Sequence, residues 1–223
     1  MVKKVRIVGS GRVGSAVSAR LRERGFDPAA DDAELVLLCV PDRAIEEAAH
    51  AIALGPWVAH TSGATPLAAL APHERRFGLH PLQTFSRARG PEQLDGAAAA
   101  VSAESAEASE VGFWLARELG LEPFALEDSE RVLYHAGAVM ASNFLVTLQR
   151  AAVDLVVAAG APPEALVPLM RRVIENDFEL TGPIERGDWE TVEAHLAAIQ
   201  ERRPELESLY RALADATTAL AVR

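Results

Sequence analysis

The stretch Val5–Leu21, VRIVGSGRVGSAVSARL, places the pattern Gly-x-Gly-x-x-Gly at residues 9–14, directly after a short apolar run. A strand before the glycines and a helix after them would put the pattern in the connecting turn. There Gly9 permits the turn, Gly11 lets a phosphate approach the backbone, and Gly14 lets helix and strand pack closely, unless the turn serves packing alone. Because a helix N-terminus also attracts anions, the stretch predicts a pyrophosphate cradle for NAD or NADP. Its residues are Gly9, Ser10, Gly11, Arg12, Val13 and Gly14.

The rest of the first half repeats this rhythm of short apolar runs and helical patterns. Strands are predicted at residues 5–8, 35–40, 57–60, 77–79 and 97–102, and helices at 12–24, 44–53 and 106–119. Runs that are apolar throughout suit strands buried on both faces, and their alternation with helices favours parallel pairing. The first half therefore predicts an α/β fold with a Rossmann-like, doubly wound parallel sheet.

The second half contains helical patterns only. They span residues 128–159, 164–180, 191–199 and 205–221. Asp128 or Ser129 can cap the first of these helices, and Gly160 can end it. We expect an all-α C-terminal domain, with the two domains at residues 1–126 and 127–223.

The second strand of the usual dinucleotide-binding unit is truncated. Only residues 25–34 separate the first helix from the next strand, which is too little for a strand, a helix and a third strand. Phe26 and Asp27 could form a stub of the missing strand. Asp27 could bond the ribose hydroxyls of the adenosine half and would then repel a 2′-phosphate, or it could be a solvated acid. The choice between NAD and NADP stays open.

Composition narrows the classes of partner and compartment. The 223 residues carry 32 acidic and 22 basic side chains, a net charge of −10, and no basic run, which disfavours nucleic acid and membrane surfaces as partners. The single cysteine, Cys39, fits a buried strand thiol. The N-terminus leads directly into a strand and no apolar run reaches membrane-spanning length, so we expect a cytoplasmic protein.

Candidate site residues follow several of the predicted strands. Val40 and Pro41 end the second strand, Ser62 follows the third, and His80 ends the fourth. The carboxyl ends of parallel strands share one sheet edge, and open α/β folds bind their ligands there. His80 precedes Pro81, which favours an extended strand end from which the imidazole could exchange a proton with a hydroxyl. The alternatives are a serine that shapes its turn and a structural histidine.

The helical half offers three further candidates. His135, Val139 and Asn143 recur at intervals of four residues, so they would share one helix face. Asn143 could orient a substrate or a nicotinamide amide, or it could lie at a helix contact. Arg186 could clamp a carboxylate or a phosphate, or it could be solvated while Asp188 caps the next helix.

Six motifs together resemble a bacterial two-domain family with a Rossmann-like N-terminal half and a helical C-terminal domain of unknown function. Its members are provisionally assigned as NADP-dependent oxidoreductases. The resemblance covers nearly the whole chain, and the chain is more distantly similar to the superfamily of 6-phosphogluconate, β-hydroxyacid and prephenate dehydrogenases and pyrroline-carboxylate reductases. The motifs are GSGRVG (9–14), VPD (40–42), HTSG (60–63), HPLQTF (80–85), YHAGAVMASN (134–143) and LTGPIERGD (180–188).

The superfamily resemblance implies roles for particular residues. In prephenate dehydrogenases the histidine of a His-Pro motif takes the hydroxyl proton with the aid of an earlier serine, and His80 and Ser62 resemble this pair. β-Hydroxyacid dehydrogenases use a lysine four residues before an asparagine that Asn143 matches. Val139 stands where that lysine would be, so the histidine mechanism is the one expected. The superfamily also implies a homodimer formed by the helical domain, with the active site between the domains.

Two functions are therefore compatible with the sequence. The first is an oxidoreductase that transfers a hydride between NAD(P) and a small hydroxy-acid, oxo-acid or imine. His80, Ser62 and Asn143 would then be catalytic, and His135 and Arg186 would contact the substrate. The alternative is a non-catalytic nucleotide-binding or regulatory protein that keeps the fold. In either case, apolar residues on more than one face of the helix at 137–159 predict a homodimer.

Overall fold

Six short strands form one sheet in which they lie side by side in chain order. The computed structural model describes residues 2–29 and 31–222, which divide into two units at residues 142 and 143. The strands are β1 (Val5–Val8), β2 (Leu35–Leu38), β3 (Trp57–His60), β4 (Arg76–Pro81), β5 (Ala98–Ala103) and β6 (Glu122–Ala125). The α-helices of this first unit are α1 (Arg12–Glu23), α2 (Ile45–His50), α3 (Ala106–Glu118) and α4 (Arg131–Val139).

The sheet is wound in two directions from β1. Residues 28–29 lie along the free edge of β1, where the Pro28 carbonyl accepts the N–H of Ile7 at 2.9 Å and residue 29 bridges Arg6. Helix α1 thus leads to this stub, and the chain then returns to place β2 on the other side of β1. The switch point between β1 and β2 is where such folds open a ligand crevice. The predicted Rossmann-like, doubly wound fold with a truncated second strand is confirmed, with the stub at 28–29 rather than 26–27.

Alternate residues of the apolar strands supply two cores. Helices α1 and α3 pack over Leu37 and Phe77 on one face, and α2 packs over Val36 and Leu38 on the other. Cys39 is buried at the end of β2, and burial raises the pKa of its thiol to about 12. Such a thiol is a packing group rather than a nucleophile, as the sequence predicts.

The last two strands depart from the predicted parallel arrangement. β5 runs antiparallel to β4, with Pro81 opposite Ala99, and β6 is parallel to β5. The link between β4 and β5 contains only the 3-10 helix Pro91–Leu94 as regular structure, and the chain doubles back along β4. The sequence does not predict β6, a four-residue edge strand containing Pro123, a residue that only an edge strand accommodates well.

The second unit is all-α, as predicted. Its helices are α5 (Leu145–Ala158), α6 (Leu166–Glu175), α7 (Trp189–Arg202) and α8 (Glu207–Ala221). A π-helical segment, Met140–Phe144, joins α4 to α5. The helical stretch Asp128–Ala158 is long and apolar enough, by length and composition alone, to cross a membrane, and its apolar window is unburied. This differs from the prediction that no apolar stretch approaches membrane-spanning length; the helical stretch qualifies by its length and its mean hydropathy of 1.2.

Candidate functional site

The glycine loop has the close packing that its spacing predicts. Gly9 has a φ of +112°, and a methyl group there would lie 2.3 Å from the Cys39 carbonyl oxygen. A methyl group at Gly14 would lie 2.1 Å from the Gly9 carbonyl oxygen. At Gly11, by contrast, a methyl group would meet no described atom within 4 Å. Two glycines therefore bring α1 against β1 and β2, while the third leaves the approach to the helix N-terminus open.

The remaining residues predicted to bind a cofactor surround this loop. Arg12 is the exposed first residue of α1, and the carbonyl of Ser10 accepts the hydroxyl of Ser15 at 3.2 Å. Val13 packs against the core, and Val40 Cγ1 lies 3.3 Å from the position of a Gly9 methyl group. Pro41 is exposed just beyond β2. The ends of β1 and β2 thus lie side by side at the switch point.

His80 lies at the same edge of the sheet and belongs to an aromatic cluster. Its Nδ1 lies 2.9 Å from the Tyr134 hydroxyl, and its ring meets those of Tyr134 and His135 edge to face, at 5.5 and 5.8 Å between centroids. A methyl group on Gly63 would lie 2.9 Å from His80 Nε2 and 2.5 Å from His135 Cδ2. The turn after β3, the end of β4 and α4 therefore converge, and they bring the predicted His80 and His135 together.

The hydroxyl that contacts His80 belongs to Tyr134 rather than to Ser62, which corrects one expectation. The Ser62 hydroxyl donates to Thr65 Oγ1 at 2.8 Å and accepts the N–H of Thr65 at 3.0 Å, so it shapes its own turn. Ser62 therefore follows the alternative prediction, a serine whose hydroxyl shapes its own turn by hydrogen bonding to nearby backbone. Ser62 nevertheless lies next to Gly63, which both imidazoles approach.

A buried arginine holds this turn. Arg131, 1% exposed, donates from Nε to the Thr65 carbonyl at 2.9 Å and from one terminal nitrogen to Ser102 Oγ at 2.8 Å. Its other terminal nitrogen donates to the Ser62 carbonyl. Asp128, one of the two predicted helix caps, instead accepts the N–H of Leu67 at 3.0 Å and lies 3.8 Å from the Arg131 guanidinium. Buried charges need such partners, so Arg131 and Asp128 fix the turn beside His80.

The imidazoles of His80 and His60 are neutral at physiological pH. Burial, with smaller contributions from His135 and Arg131, lowers the pKa of His80 to about 4. Burial and Arg131 lower the pKa of His60, at the end of β3, to about 3. Neither ring nitrogen of His60 has a hydrogen-bond partner among residues 2–29 and 31–222. Burial also raises the pKa of Tyr134, so its hydroxyl remains protonated and can donate to His80 Nδ1.

Two predicted residues, Asn143 and Arg186, belong to the second unit. Asn143 lies in the π-helical segment, and Arg186 is exposed in the loop before α7. The shared helix face predicted for His135 and Asn143 assumes uniform α-helix, and the π segment breaks that periodicity. Asp188 caps α7 by accepting the N–H of Thr191 at 3.2 Å. This agrees with the alternative prediction for the loop, in which Arg186 is solvated and Asp188 caps the next helix.

Sequence reasoning missed Tyr134 and Arg131. Tyr134 precedes His135 in a motif quoted for other residues, and an arginine at the start of an apolar helix reads as a solvated first-turn residue. Its partners at positions 62, 65 and 102 are distant in sequence, so only the fold identifies it. Within the part of the chain that the structure describes, no group of three or more His, Cys, Asp or Glu side chains could hold a metal ion.

Comparison with known proteins agrees with this architecture. Residues 97–217 match the family described as a domain of unknown function, DUF2520. No curated protein matches the chain. Three solved structures share its fold over nearly their full lengths. They are a candidate NADP oxidoreductase from Bacteroides fragilis (21% identity, TM-score 0.81, covering 97% of this chain and 98% of that one), a protein from Thermotoga maritima (24%, 0.77, 98% and 100%) and 1-pyrroline-5-carboxylate reductase from Streptococcus pyogenes (17%, 0.64, 98% and 97%).

Proposed function

The chain belongs to the DUF2520 family, whose function is unknown, and from that premise we propose that it is an NAD(P)-dependent oxidoreductase. Its substrate would be a small hydroxy-acid, oxo-acid or imine. The observation that carries the proposal is the glycine loop, in which Gly9 and Gly14 are sterically required while Gly11 is open. Among the proteins that share the fold, a semialdehyde dehydrogenase NAD-binding protein was solved with NAD and a reductive aminase with NADPH, which supports the same cofactors here.

The residues at the switch point fit a dinucleotide. The N-cap residue of α1 is Gly11, so no side chain caps the helix at this position, and the first turn has no acidic residue. The free N–H groups and the helix dipole are therefore available to a pyrophosphate. Arg12 would add a positive charge, and Ser10, Val13, Val40 and Pro41 would line the cradle. A bound nicotinamide would supply or accept the hydride.

The adenosine half of the site is less complete than the pyrophosphate half. The stub at 28–29 replaces a full strand, and the Asp27 carboxylate accepts the N–H of Ala29 at 3.0 Å within its own turn. One of its oxygens is thereby engaged, which leaves a weaker reader of the ribose than the usual strand-end acid. We infer that the site discriminates only weakly between NAD and NADP.

His80 would be the general acid and base. When a carbonyl or imine is reduced, the substrate gains a hydride on carbon and a proton on oxygen or nitrogen, and His80 Nε2–H would donate that proton. A Tyr134 hydroxyl that donates to Nδ1 would place the proton of neutral His80 on Nε2. For oxidation of a substrate, the hydrogen bond between His80 and Tyr134 would reverse its direction. His80 Nδ1–H would donate to the Tyr134 hydroxyl, and Nε2 would accept the proton of the substrate hydroxyl.

Ser62 and Asn143 complete the proposed catalytic set, and His135 and Arg186 the substrate contacts. His135 has direct support, because its ring adjoins His80. Ser62 would act through the turn that it shapes, next to Gly63. Asn143 and Arg186 enter the proposal from the motif resemblance and from their chemistry: an amide that can orient a polar group and a guanidinium that can pair with a carboxylate.

Exchange of His80 provides the test of catalysis. Reduced NADPH and NADH are mixed with a panel of oxo-acids and cyclic imines, and loss of the reduced nicotinamide absorbance is followed. His80→Ala should lower turnover by about 10²–10⁴-fold without weakening dinucleotide binding. His50→Ala, which removes an exposed imidazole from α2, is the matched control. Full turnover by His80→Ala would refute the assignment.

A non-catalytic nucleotide-binding protein is the second candidate. The engaged Asp27 and the absence of a lysine at Val139 favour it. Such a protein would bind NADPH or NADH in calorimetry and transfer no hydride to any substrate of the panel. Turnover that His80→Ala abolishes would exclude this candidate.

We also propose that the second unit forms a homodimer in the cytoplasm. Large apolar side chains are exposed on α5 and α6, including Val146 at 52%, Leu169 at 60% and Ile174 at 58%. Arg150 and Asp154 on α5 disfavour lipid as the cover, because charges within a bilayer are costly. A second copy covers such patches by symmetry. Sedimentation at micromolar concentration should give the dimer mass, and Leu169→Glu should give the monomer; a monomeric wild-type protein would contradict the proposal.

A further inference from the structure

A pocket of about 400 Å³ lies between α1 and the loop before the 3-10 helix Pro91–Leu94. It adjoins the glycine loop but extends along the side of α1, where Ala16 and Ala19 form its apolar wall. The polar side chains that line it carry hydroxyl and guanidinium groups. These belong to Ser10, Arg12, Ser15, Ser86, Arg87 and Arg89.

Among the described residues, the three arginines share the lack of a carboxylate neighbour with others such as Arg22 and Arg117, but they converge on one pocket that no acidic side chain lines. Acidic side chains outnumber basic ones by 32 to 22, and Arg20, Arg75, Arg76, Arg131, Arg172, Arg203 and Arg211 each lie within 4 Å of a carboxylate. Among the described residues, Arg12, Arg87 and Arg89 have no carboxylate within that distance. Three unpaired cations that converge on one pocket of an acidic protein create a local positive field that favours an anion.

A buried amide holds the arginine-bearing loop in place. Gln93 is 5% exposed, and its Oε1 accepts the N–H of Ser86 at 2.7 Å. Its Nε2 lies 2.9–3.2 Å from three carbonyls of the loop, those of Ser86, Arg89 and Gly90. Arg20 ties the same loop to α1 by donating to the Pro91 carbonyl at 3.0 Å. The backbone that carries Arg87 and Arg89 is therefore fixed before any ligand arrives, which lowers the entropic cost of binding.

We propose that this pocket binds a phosphate group. Guanidinium groups pair with phosphate oxygens through two parallel hydrogen bonds, serine hydroxyls donate to the remaining oxygens, and the N-terminus of α1 adds its dipole. Three cations match a phosphate dianion better than a single carboxylate. The phosphate could be carried by the dinucleotide, in which case the inference rests on the proposed function, or by the substrate.

The test uses inorganic pyrophosphate and phosphate as probes, in calorimetry at low salt. The double variant Arg87→Gln/Arg89→Gln changes exposed side chains and should keep the fold. The control is Arg22→Gln/Arg117→Gln, which changes two exposed arginines with no carboxylate within 4 Å among the described residues and alters the net charge by the same amount. The first pair should weaken pyrophosphate binding at least tenfold and the control should not. Equal affinities for the wild type and the first pair would overturn the proposal.

Dinucleotide titrations of the same variants identify the source of the phosphate. Equal weakening of NADH and NADPH assigns the pyrophosphate, and weakening of NADPH alone assigns the 2′-phosphate. Unchanged dinucleotide binding with lost binding of the inorganic probe assigns a phosphate on the substrate. If no dinucleotide binds to the wild type while the inorganic probe does, the proposed function fails and the phosphate pocket stands.

Discussion

Gly11→Ala separates the cofactor role of the glycine loop from its structural role. Gly11 has φ −69° and ψ −170°, a conformation open to any residue, and a methyl group there meets no described atom within 4 Å. Alanine is a poorer N-cap than glycine by about 0.5–1 kcal/mol, whereas loss of glycine flexibility in the unfolded chain returns about 0.4–1 kcal/mol. The free energy of unfolding should therefore change by less than about 1 kcal/mol.

Dinucleotide affinity should respond quite differently. The methyl group would occupy the space through which a pyrophosphate oxygen reaches the N–H groups of α1, and one hydrogen bond to a charged group is worth about 1.5–3 kcal/mol. Calorimetric titration with NADPH should show affinity lowered about tenfold to a hundredfold. Gly14→Ala is the structural counterpart, since its methyl group 2.1 Å from the Gly9 carbonyl should cost about 1–3 kcal/mol of stability. Unchanged NADPH affinity in Gly11→Ala would refute the cradle.

Three further predictions concern the histidine cluster. The acid limb of the pH profile for substrate oxidation should lie near pH 4, because His80 must be neutral to accept a proton and its pKa is about 4; His135→Gln removes a charge that opposes protonation and should raise that limb, and a limb near pH 6.5 in both proteins would contradict the assigned environment. Arg131→Met removes the donor that serves the Ser62 and Thr65 carbonyls and the cation beside Asp128, and it should lower the free energy of unfolding by about 3–5 kcal/mol, measured by denaturant titration against Arg22→Met. His60 has a lower pKa when folded, about 3, than the usual 6.5, so the unfolded chain takes up the proton first and stability falls as pH drops from about 6.5 towards 3; His60→Leu should flatten this dependence, and an unchanged slope would show that other groups control it.

The parts of the fold that the sequence predicts are those that depend on residues close together in the chain. The strands β1 and β3 and the helix α1 depend on the local pattern of apolar residues. The predicted bounds of the two strands, 5–8 and 57–60, therefore agree with the structure. The glycine loop is similarly local. The reversal at β5 could not be predicted, because a short apolar run indicates a buried strand but not the direction in which it pairs.

The candidate site could be predicted only in part, because it brings together residues that are distant in the sequence. His80 is identifiable from its place before Pro81 at a strand end. Its hydroxyl partner, Tyr134, lies 54 positions away in the sequence, and nothing local distinguishes it from Ser62. The π segment between His135 and Asn143 likewise depends on packing and defeats an argument from four-residue spacing.

The most direct test of the central claim is a crystal structure of the protein with NADPH bound. Pyrophosphate oxygens should lie on the N–H groups of residues 11–13, between the ends of β1 and β2, with the nicotinamide ring directed along the sheet edge towards His80. A dinucleotide bound away from Gly11, or at the opposite edge of the sheet, would contradict it.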